Sequence, residues 1–223
     1  GLGTARLPRL SLPAASVLVG VATALYASRC HEVTHGHPTR SARINAALVF
    51  PALTLFIPFD RFRDTHLAHH RDANLTDPYD DPETNFLDPV VWETLPRLVQ
   101  WVLRLNNTLL GRMILGPVLG TARFLWTDAT AIARGDRSVA NAWLWHIPAV
   151  ALVLLWLRYV GAMPIWAYLL ATYLAFALLR IRVFLEHRAH TAPRARTVIV
   201  EDRGPLSLLF LNNNLHVVHH MHP

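Results

Sequence analysis

The sequence predicts an all-α integral membrane fold, a bundle of spanning helices with a helical cap on the cytoplasmic side. Three observations support this prediction. Hydrophobic residues make up 52% of the 223 positions and the mean hydropathy is +0.27, values more typical of a membrane protein than of a soluble domain. Several apolar stretches are long enough to cross most or all of a bilayer core. The segments between them contain many arginines, as cytoplasmic loops do.

The net charge of +6 and the single cysteine argue against several classes of protein. The basic side chains lie between apolar stretches rather than along one face, so we expect no nucleic acid among the partners. One cysteine can form neither an in-chain disulfide nor an iron–sulfur cluster bound by several cysteines. We expect Cys30 to be a small buried hydrophobic side chain rather than a metal ligand.

The first two apolar stretches differ in length and therefore in predicted structure. Residues Ser11 to Ser28 are uncharged, and as a helix they would cross most of the bilayer core. Residues Ala46 to Phe59 are too few for a span, contain two prolines and have arginines on both sides. We interpret them as a re-entrant or interfacial helix with both ends facing the cytoplasm. The alternative is a full span, which would put the histidines before and after it on opposite sides.

Apolar and polar segments alternate along the rest of the chain. We predict a solvated acidic loop at 72–93, one or two amphipathic surface segments at 98–126, spans at 139–160 and 163–184, a polar connection at 191–204 with a short strand at 196–201, and a final helix at 206–222. We expect residues 1–223 to be a single membrane domain, and we expect the chain to be truncated at both ends.

Four histidine clusters are the most informative feature of the sequence. On a helix, positions i, i+3 and i+4 share a face, so HxxxH directs two imidazoles one way and HxxHH up to three. The clusters are His31-Glu-Val-Thr-His35, His66-Leu-Ala-His69-His70, Glu186-His187-Arg-Ala-His190 and His216-Val-Val-His219-His220. In the predicted topology all four meet at one membrane face.

Nine or so imidazoles are too many for one metal ion and suit a dimetal site. Neutral imidazole binds iron, zinc, copper and nickel, so the histidines alone do not identify the metal. A zinc site needs three or four ligands. A pair of redox metals could bind and activate oxygen, and imidazole ligands resist the oxidation that thiolates undergo.

The order and spacing of these clusters resemble the membrane fatty acid desaturase family, whose histidine boxes read HxxxH, HxxHH and HxxHH. The matching residues are His31 and His35 in the first box, His66, His69 and His70 in the second, and His216, His219 and His220 in the third. The family adds a ligand at the cytoplasmic end of the last span, where this sequence has His187. The resemblance runs from about residue 11 to residue 223. Residues 31–40, 66–72 and 76–83 resemble the bacterial branch that includes dihydrorhizobitoxine desaturase-like proteins.

The resemblance implies a non-haem di-iron oxidoreductase in which these nine histidines bind two iron ions and form the catalytic centre. Such an enzyme uses O2 and two electrons to introduce a double bond into a fatty acyl or related lipid chain, which would lie in an apolar tunnel between the spans. It also implies a separate electron donor, a ferredoxin or a cytochrome b5-like protein. The implied location is the bacterial inner membrane, with the active site facing the cytoplasm.

Other polar residues near the boxes have less direct predicted roles. We favour His187 over His190 as the ligand, and we expect His37, His146 and His222 to pack or to lie at the surface. Four carboxylates are candidates to accept the second ring N–H of a ligand, which would fix its tautomer: Glu32, Asp64, Asp72 and Glu186. The run Asn212 to Asn214 has a cap or loop role by default, although one of its amides could bond a ligand.

Three other functions stay open on the sequence alone. The closest is a hydroxylase or ketolase acting on an alkane, sterol, sphingolipid or carotenoid, because the same iron pair can place oxygen on carbon. His31-Glu-Val-Thr-His35 also fits the HExxH motif of zinc metalloproteases, but that function leaves three clusters unexplained. A metal carrier would place its site near the bilayer midplane, whereas these histidines lie at the ends of spans.

Overall fold

Three long helices form the frame of the protein. The computed structural model describes residues 2–222, which contain twelve α-helices, one 3-10 turn (Pro193–Ala195) and no β-strand. The helices are α1 (Leu2–Ala5), α2 (Leu7–Leu10), α3 (Leu12–Thr34), α4 (Ala42–Val49), α5 (Phe59–Arg71), α6 (Pro89–Thr94), α7 (Arg97–Asn106), α8 (Leu109–Ala133), α9 (Arg137–Tyr159), α10 (Ile165–Glu186), α11 (Pro205–Leu209) and α12 (His216–Met221). Helices α3, α9 and α10 are long and apolar enough to cross a membrane. The predicted all-α membrane fold is therefore confirmed.

Helix α3 extends beyond the span predicted for it. It begins after Ser11, whose Oγ accepts the N–H of Ala14 at 3.4 Å, and it continues six residues past Ser28 to Thr34. The extra turns are polar and include the first histidine of the first box. Apolar composition predicts only the part of a helix that a bilayer can cover. The helix itself ends where the backbone leaves the helical conformation, here at Gly36 with φ +88°.

Small residues bring α3 and α10 close together. Ala24 on α3 and Ala171 and Ala175 on α10 are fully buried. At Gly20, a Cβ would lie 3.0 Å from the carbonyl oxygen of Ala171 and 2.9 Å from Leu174 Cδ2, so only glycine fits at this crossing. Packing of this kind is the usual way in which helices associate within a membrane.

The segment predicted as a re-entrant helix is only partly helical. Helix α4 starts four residues earlier than predicted and ends at Val49, two residues before Pro51, and residues 50–58 follow in an irregular conformation. This irregular stretch is anchored inside the protein, because the carbonyl of Leu53 accepts the Tyr168 hydroxyl at 2.8 Å and the carbonyl of Leu55 contacts His146 Nε2 at 2.9 Å. Non-helical backbone at membrane depth is tolerated where protein groups satisfy it in this way.

Helices α7 and α8 occupy the region predicted to be amphipathic and superficial. That prediction describes α7, none of whose residues is buried. It does not describe α8, which packs against α10 and buries Arg112, Gly116 and Asp128. The arginines of α8 suggested a surface position, but two of the polar side chains on this helix face protein partners instead.

The last third of the chain corrects two predictions. No strand forms at 196–201; this segment makes only isolated bridges, between His187 and Thr197 and between Ile199 and Leu215. The predicted final helix is divided into α11 and α12 by a turn in which Leu211 and Asn212 have positive φ. Asparagine tolerates the left-handed conformation better than most residues, so the polar run at 212–214 forms the break.

Candidate metal centre

The structure gathers the nine predicted histidines into two adjacent groups at one end of the helices. Within each group the nitrogens that could bind a metal lie within 4.8 Å of one another. The first group is His31, His35, His66, His70 and His219, and the second is His69, His187, His216 and His220. The metal-binding role of these residues stays a prediction, but all nine predicted positions converge.

Each HxxHH box contributes to both groups. In the second box, His66 and His70 belong to the first group and His69 to the second; in the third box the assignment is reversed, with His219 alone in the first group. At about 100° per residue, positions i and i+4 point about 40° apart, while i+3 points about 100° away from i+4. The five-residue spacing therefore supplies two ligands to one group and one to the other.

The ring nitrogens face each other at distances that a shared cation would explain. Eight of the nine histidines have Nε2 within 3.0–3.2 Å of another Nε2, in the chains His35–His66–His70–His219 and His69–His187–His216–His220. Two ligands about 2.1 Å from one ion and at right angles would be about 3.0 Å apart. One N–H can serve only one of two neighbours, so protons alone cannot satisfy both chains. The donor set therefore fits a metal in each group.

Asn213 distinguishes His31 from the other eight histidines. Its Nδ2 lies 3.1 Å from His31 Nε2, while its Oδ1 lies 3.1 Å from His216 Nδ1. One buried amide thus joins the first group to the second. The sequence prediction that one asparagine of the run contacts a ligand agrees with this position, and His31 Nε2 is free to bind an ion only if the amide turns away.

Burial keeps most of the imidazoles outside the spans neutral. It lowers the pKa of His35 and of His187 to about 4, with neighbouring histidines adding to the effect. The pKa values of His219 and His220 fall to about 3 for the same reasons. Near neutral pH these rings are unprotonated and can bind a metal without losing a proton first.

Two carboxylates that the sequence analysis missed hold the second box. His69 Nδ1 donates to Asp81 Oδ1 at 2.8 Å, and His66 Nδ1 lies 3.2 Å from both carboxylate oxygens of Glu83. Burial is the largest single effect and opposes ionisation of Asp81, but the hydrogen bond and charge of His69, together with the backbone N–H groups of Thr76 and Glu83, outweigh it and lower the pKa of Asp81. These contacts place the proton on Nδ1 and direct Nε2 into the centre, as expected for carboxylates that support metal ligands.

The acidic segment at 72–93 is therefore not the solvated loop that we predicted. Asp81 is 3% exposed, and its carboxylate also accepts the backbone N–H groups of Thr76 and Glu83, each at 2.8 Å. Arg196 donates to the carbonyl of Leu75 at 2.7 Å and fixes the loop from outside. Acidic and proline-rich composition is shared by solvated loops and by loops that fold around their own carboxylates, so composition misled the prediction.

Two of the four predicted carboxylates contact a histidine. Glu32 Oε1 lies 3.1 Å from His31 Nδ1, and Glu186 Oε1 lies 3.4 Å from His216 Nδ1. Asp64 instead pairs with Arg63, and Asp72 accepts the backbone N–H of Asn74. The prediction holds for the glutamates, which are in or next to the boxes.

His187 reaches the second group from an extended backbone rather than from a helix. It follows the last residue of α10 with φ −129° and ψ 147°. His190, the competing candidate, is exposed, and its Nδ1 accepts the N–H of Ala192. His37 and His222 are exposed as well, and His146 contacts the carbonyl of Leu55. The structure therefore brings His187 alone of these to the centre.

A neighbouring pair of aspartates allows a matched test of the loop. We expect Asp81→Asn to weaken metal retention about 10- to 100-fold, because the amide leaves His69 without its carboxylate partner. Asp80, the adjacent residue, is exposed and contacts Asn74 at 3.4 Å, so Asp80→Asn should retain metal as the unaltered protein does. Metal content after graded chelator treatment measures both. Equal retention by the two variants would contradict a supporting role for Asp81.

Comparison with known proteins agrees with this architecture. The fatty acid desaturase family model matches residues 8–223, which is nearly the whole chain. No curated protein and no solved structure matches the chain significantly. The finer placement in one bacterial branch stays a prediction. With its apolar spans and its converging histidine boxes, the chain belongs to the fatty acid desaturase family and is a membrane oxidoreductase.

Proposed function

We propose that this protein is a di-iron desaturase that converts a single bond of a fatty acyl or related apolar chain into a double bond. The balanced reaction consumes O2, two electrons and two protons, removes two hydrogens from adjacent carbons and releases two waters. The single observation that carries the proposal is the pair of histidine groups close to an apolar cavity between the spans, whose lining residue Phe62 stacks on His66 of the first group. Family membership by itself supports the broader statement that the protein is a lipid-modifying oxidoreductase.

Iron suits the donor set of the two groups. The groups offer five and four imidazoles and no thiolate, and the five donors of the first group exceed the three or four protein ligands of most zinc sites. When bound there, an iron pair supplies the activation of O2 and the oxidising power to break unactivated C–H bonds. The chain supports such a pair with Asp81, Glu83, Glu32 and Glu186, which balance its charge and hold the rings.

The cavity has a volume and a lining that suit an apolar chain. It has a volume of about 430 Å³ and lies between α3, α9, α10 and the irregular segment at 50–58. Phe62 lines it and stacks on His66 with ring centroids 5.5 Å apart, and Cys30 lines it next to His31 in the chain. A chain in this cavity would contact Phe62 and lie one side chain away from His66 of the first histidine group.

The proposed orientation and partners follow from charge. The histidine end of the helices carries most of the arginines of the short connecting segments, so we place it in the cytoplasm. The resemblance to a bacterial branch makes the bacterial inner membrane the proposed location. The two electrons require a separate donor, a ferredoxin or a cytochrome b5-like protein, and an acidic donor surface would complement the basic face.

Product mass tests the reaction. Bacterial cells that express the chain are compared with cells that express the His69→Ala variant, and their extracted fatty acids and other apolar acids are analysed by mass spectrometry. We expect a product that has lost two hydrogens relative to its precursor. A product that has gained one oxygen would instead establish the hydroxylase alternative, and no mass change in either direction would contradict both.

A further inference from the structure

Arg180 is a cationic side chain on the wall of the cavity and forms no ion pair among the described residues. It lies on the spanning helix α10 and lines the apolar cavity. The two other charged residues of the lining are both paired: Asp60 with Arg63 at 2.8 Å, and Arg182 with Glu186 at 2.8 Å. Arg180 forms no ion pair with any carboxylate of residues 2–222. An ionisable group within a spanning segment is costly without a partner, so it indicates a function.

Two glycines of α8 leave room for this side chain. A Cβ at Gly120 would lie 2.0 Å from Arg180 Nη2, and a Cβ at Gly116 would lie 3.3 Å from Arg180 Cδ. Any other residue at Gly120 would collide with the guanidinium, so the side chain runs along a slot on the surface of α8. The guanidinium of Arg180 therefore lies against α8.

A second guanidinium group, that of Arg112, lies close to Arg180. The nearby guanidinium of Arg112 is buried at the same α8–α10 contact and is satisfied only by neutral groups, the carbonyl of Asn106 at 2.8 Å and the side chain of Asn107 at 3.4 Å. Two guanidinium groups thus share one helix contact, and neither has a carboxylate partner among the described residues. A carboxylate fits the fork of a guanidinium with two parallel hydrogen bonds.

We propose that Arg180 binds the carboxylate of the substrate, so that the enzyme takes an apolar carboxylic acid in its free form. This inference rests on the proposed function and names its substrate class. A chain carried on a thioester or a glycerolipid has lost its carboxylate and keeps its polar part outside the membrane, so it would leave Arg180 unpaired. Arg180 precedes Glu186, the last residue of α10, by six residues, about 9 Å of helix, and His187 follows directly. The oxidised bond therefore lies within a short chain length of the carboxylate.

Binding of matched acids and esters tests this proposal without depending on turnover. Calorimetric titration of the detergent-purified, iron-loaded protein uses saturated acids of six to sixteen carbons and their methyl esters, which differ in charge alone at the head. We expect the best-fitting acid to bind about 10- to 100-fold more tightly than its ester. Equal affinity of acid and ester throughout the series, or binding of no acid at all, would overturn the proposal.

Two variants assign the preference to Arg180. We expect Arg180→Gln to remove the difference between acid and ester, and Gly120→Ala to reduce it while keeping the charge, because the new methyl group displaces the guanidinium. Arg158→Gln is the matched control, since this arginine is exposed on α9 and lies outside the cavity lining. Persistence of the full preference in Arg180→Gln would contradict the assignment.

The iron content of the same samples separates this proposal from the proposed function. A protein that holds two irons and does not distinguish acid from ester contradicts only the role of Arg180. A protein that distinguishes acid from ester but holds no iron contradicts only the di-iron reaction. Iron content also shows whether Arg180→Gln has folded, since the histidine groups assemble from four separate segments of the chain.

Discussion

Replacing His69 by alanine is expected to abolish oxidation of the substrate while leaving the chain inserted in the membrane. His69 is 2% exposed, its Nδ1 donates to Asp81 at 2.8 Å, and its Nε2 lies 3.1 Å from that of His187. Its removal takes one of four imidazoles from the second group and leaves the Asp81 carboxylate without its histidine partner. The product assay should fall to background, and bound metal should fall by about half.

His190→Ala is the matched control for this experiment. It also removes an imidazole, and His190 is close in sequence to His187. However, His190 is exposed and belongs to neither group. We expect its product yield and metal content to equal those of the unaltered protein. Full activity in His69→Ala would contradict the assignment of His69 to the centre, and loss of activity in His190→Ala would place the centre elsewhere.

Removal of the Asp128 carboxylate is expected to cause the largest loss of stability. Asp128 on α8 accepts two hydrogen bonds from Arg61 Nε, at 3.0 and 3.1 Å, one from Arg61 Nη2 at 2.9 Å, and one from Trp143 at 2.9 Å. These bonds join α5, which carries the second box, to α8 and α9. The carboxylate side chain is 1% exposed and that of Arg61 is 15% exposed. Asp128→Ala should lower the free energy of unfolding by about 3–5 kcal/mol, because it leaves a buried cation uncompensated.

Two comparisons show whether the uncompensated charge is the cause. The double variant Arg61→Leu with Asp128→Leu removes both charges and should recover most of the loss. Asp64→Ala breaks a half-exposed ion pair with Arg63 and should cost less than about 1 kcal/mol. Denaturant unfolding in detergent measures all three. An Asp128→Ala variant as stable as the unaltered protein would show that the network does not hold α5.

The sequence predicted the features that depend on local pattern. The spans at α9 and α10 follow from uninterrupted apolar composition, and the nine histidines follow from spacing and from their resemblance to a known set of boxes. The preference for His187 over His190 also agrees with the structure, since His187 directly follows the span. In these cases, the prediction needs only the type of a residue and the types of the residues three or four positions away from it.

The features that the sequence did not predict depend on distant contacts. Asp81 and Glu83 reach histidines twelve and seventeen residues before them in the chain, and nothing local separates them from Asp80 or Asp77. The irregular segment at 50–58 depends on Tyr168 and His146, which lie about a hundred residues further along the chain. The unpaired state of Arg180 is visible only once the carboxylates near it are placed. Local composition carries no information on any of these partners.

The number and identity of metal ions per chain test the central claim most directly. Elemental mass spectrometry of the detergent-purified protein, after anaerobic reconstitution with ferrous iron, counts them. We predict about two irons per chain, and about one in His69→Ala prepared in the same way. A chain that holds a single zinc ion and no iron after reconstitution would contradict the di-iron account and favour the HExxH metalloprotease alternative.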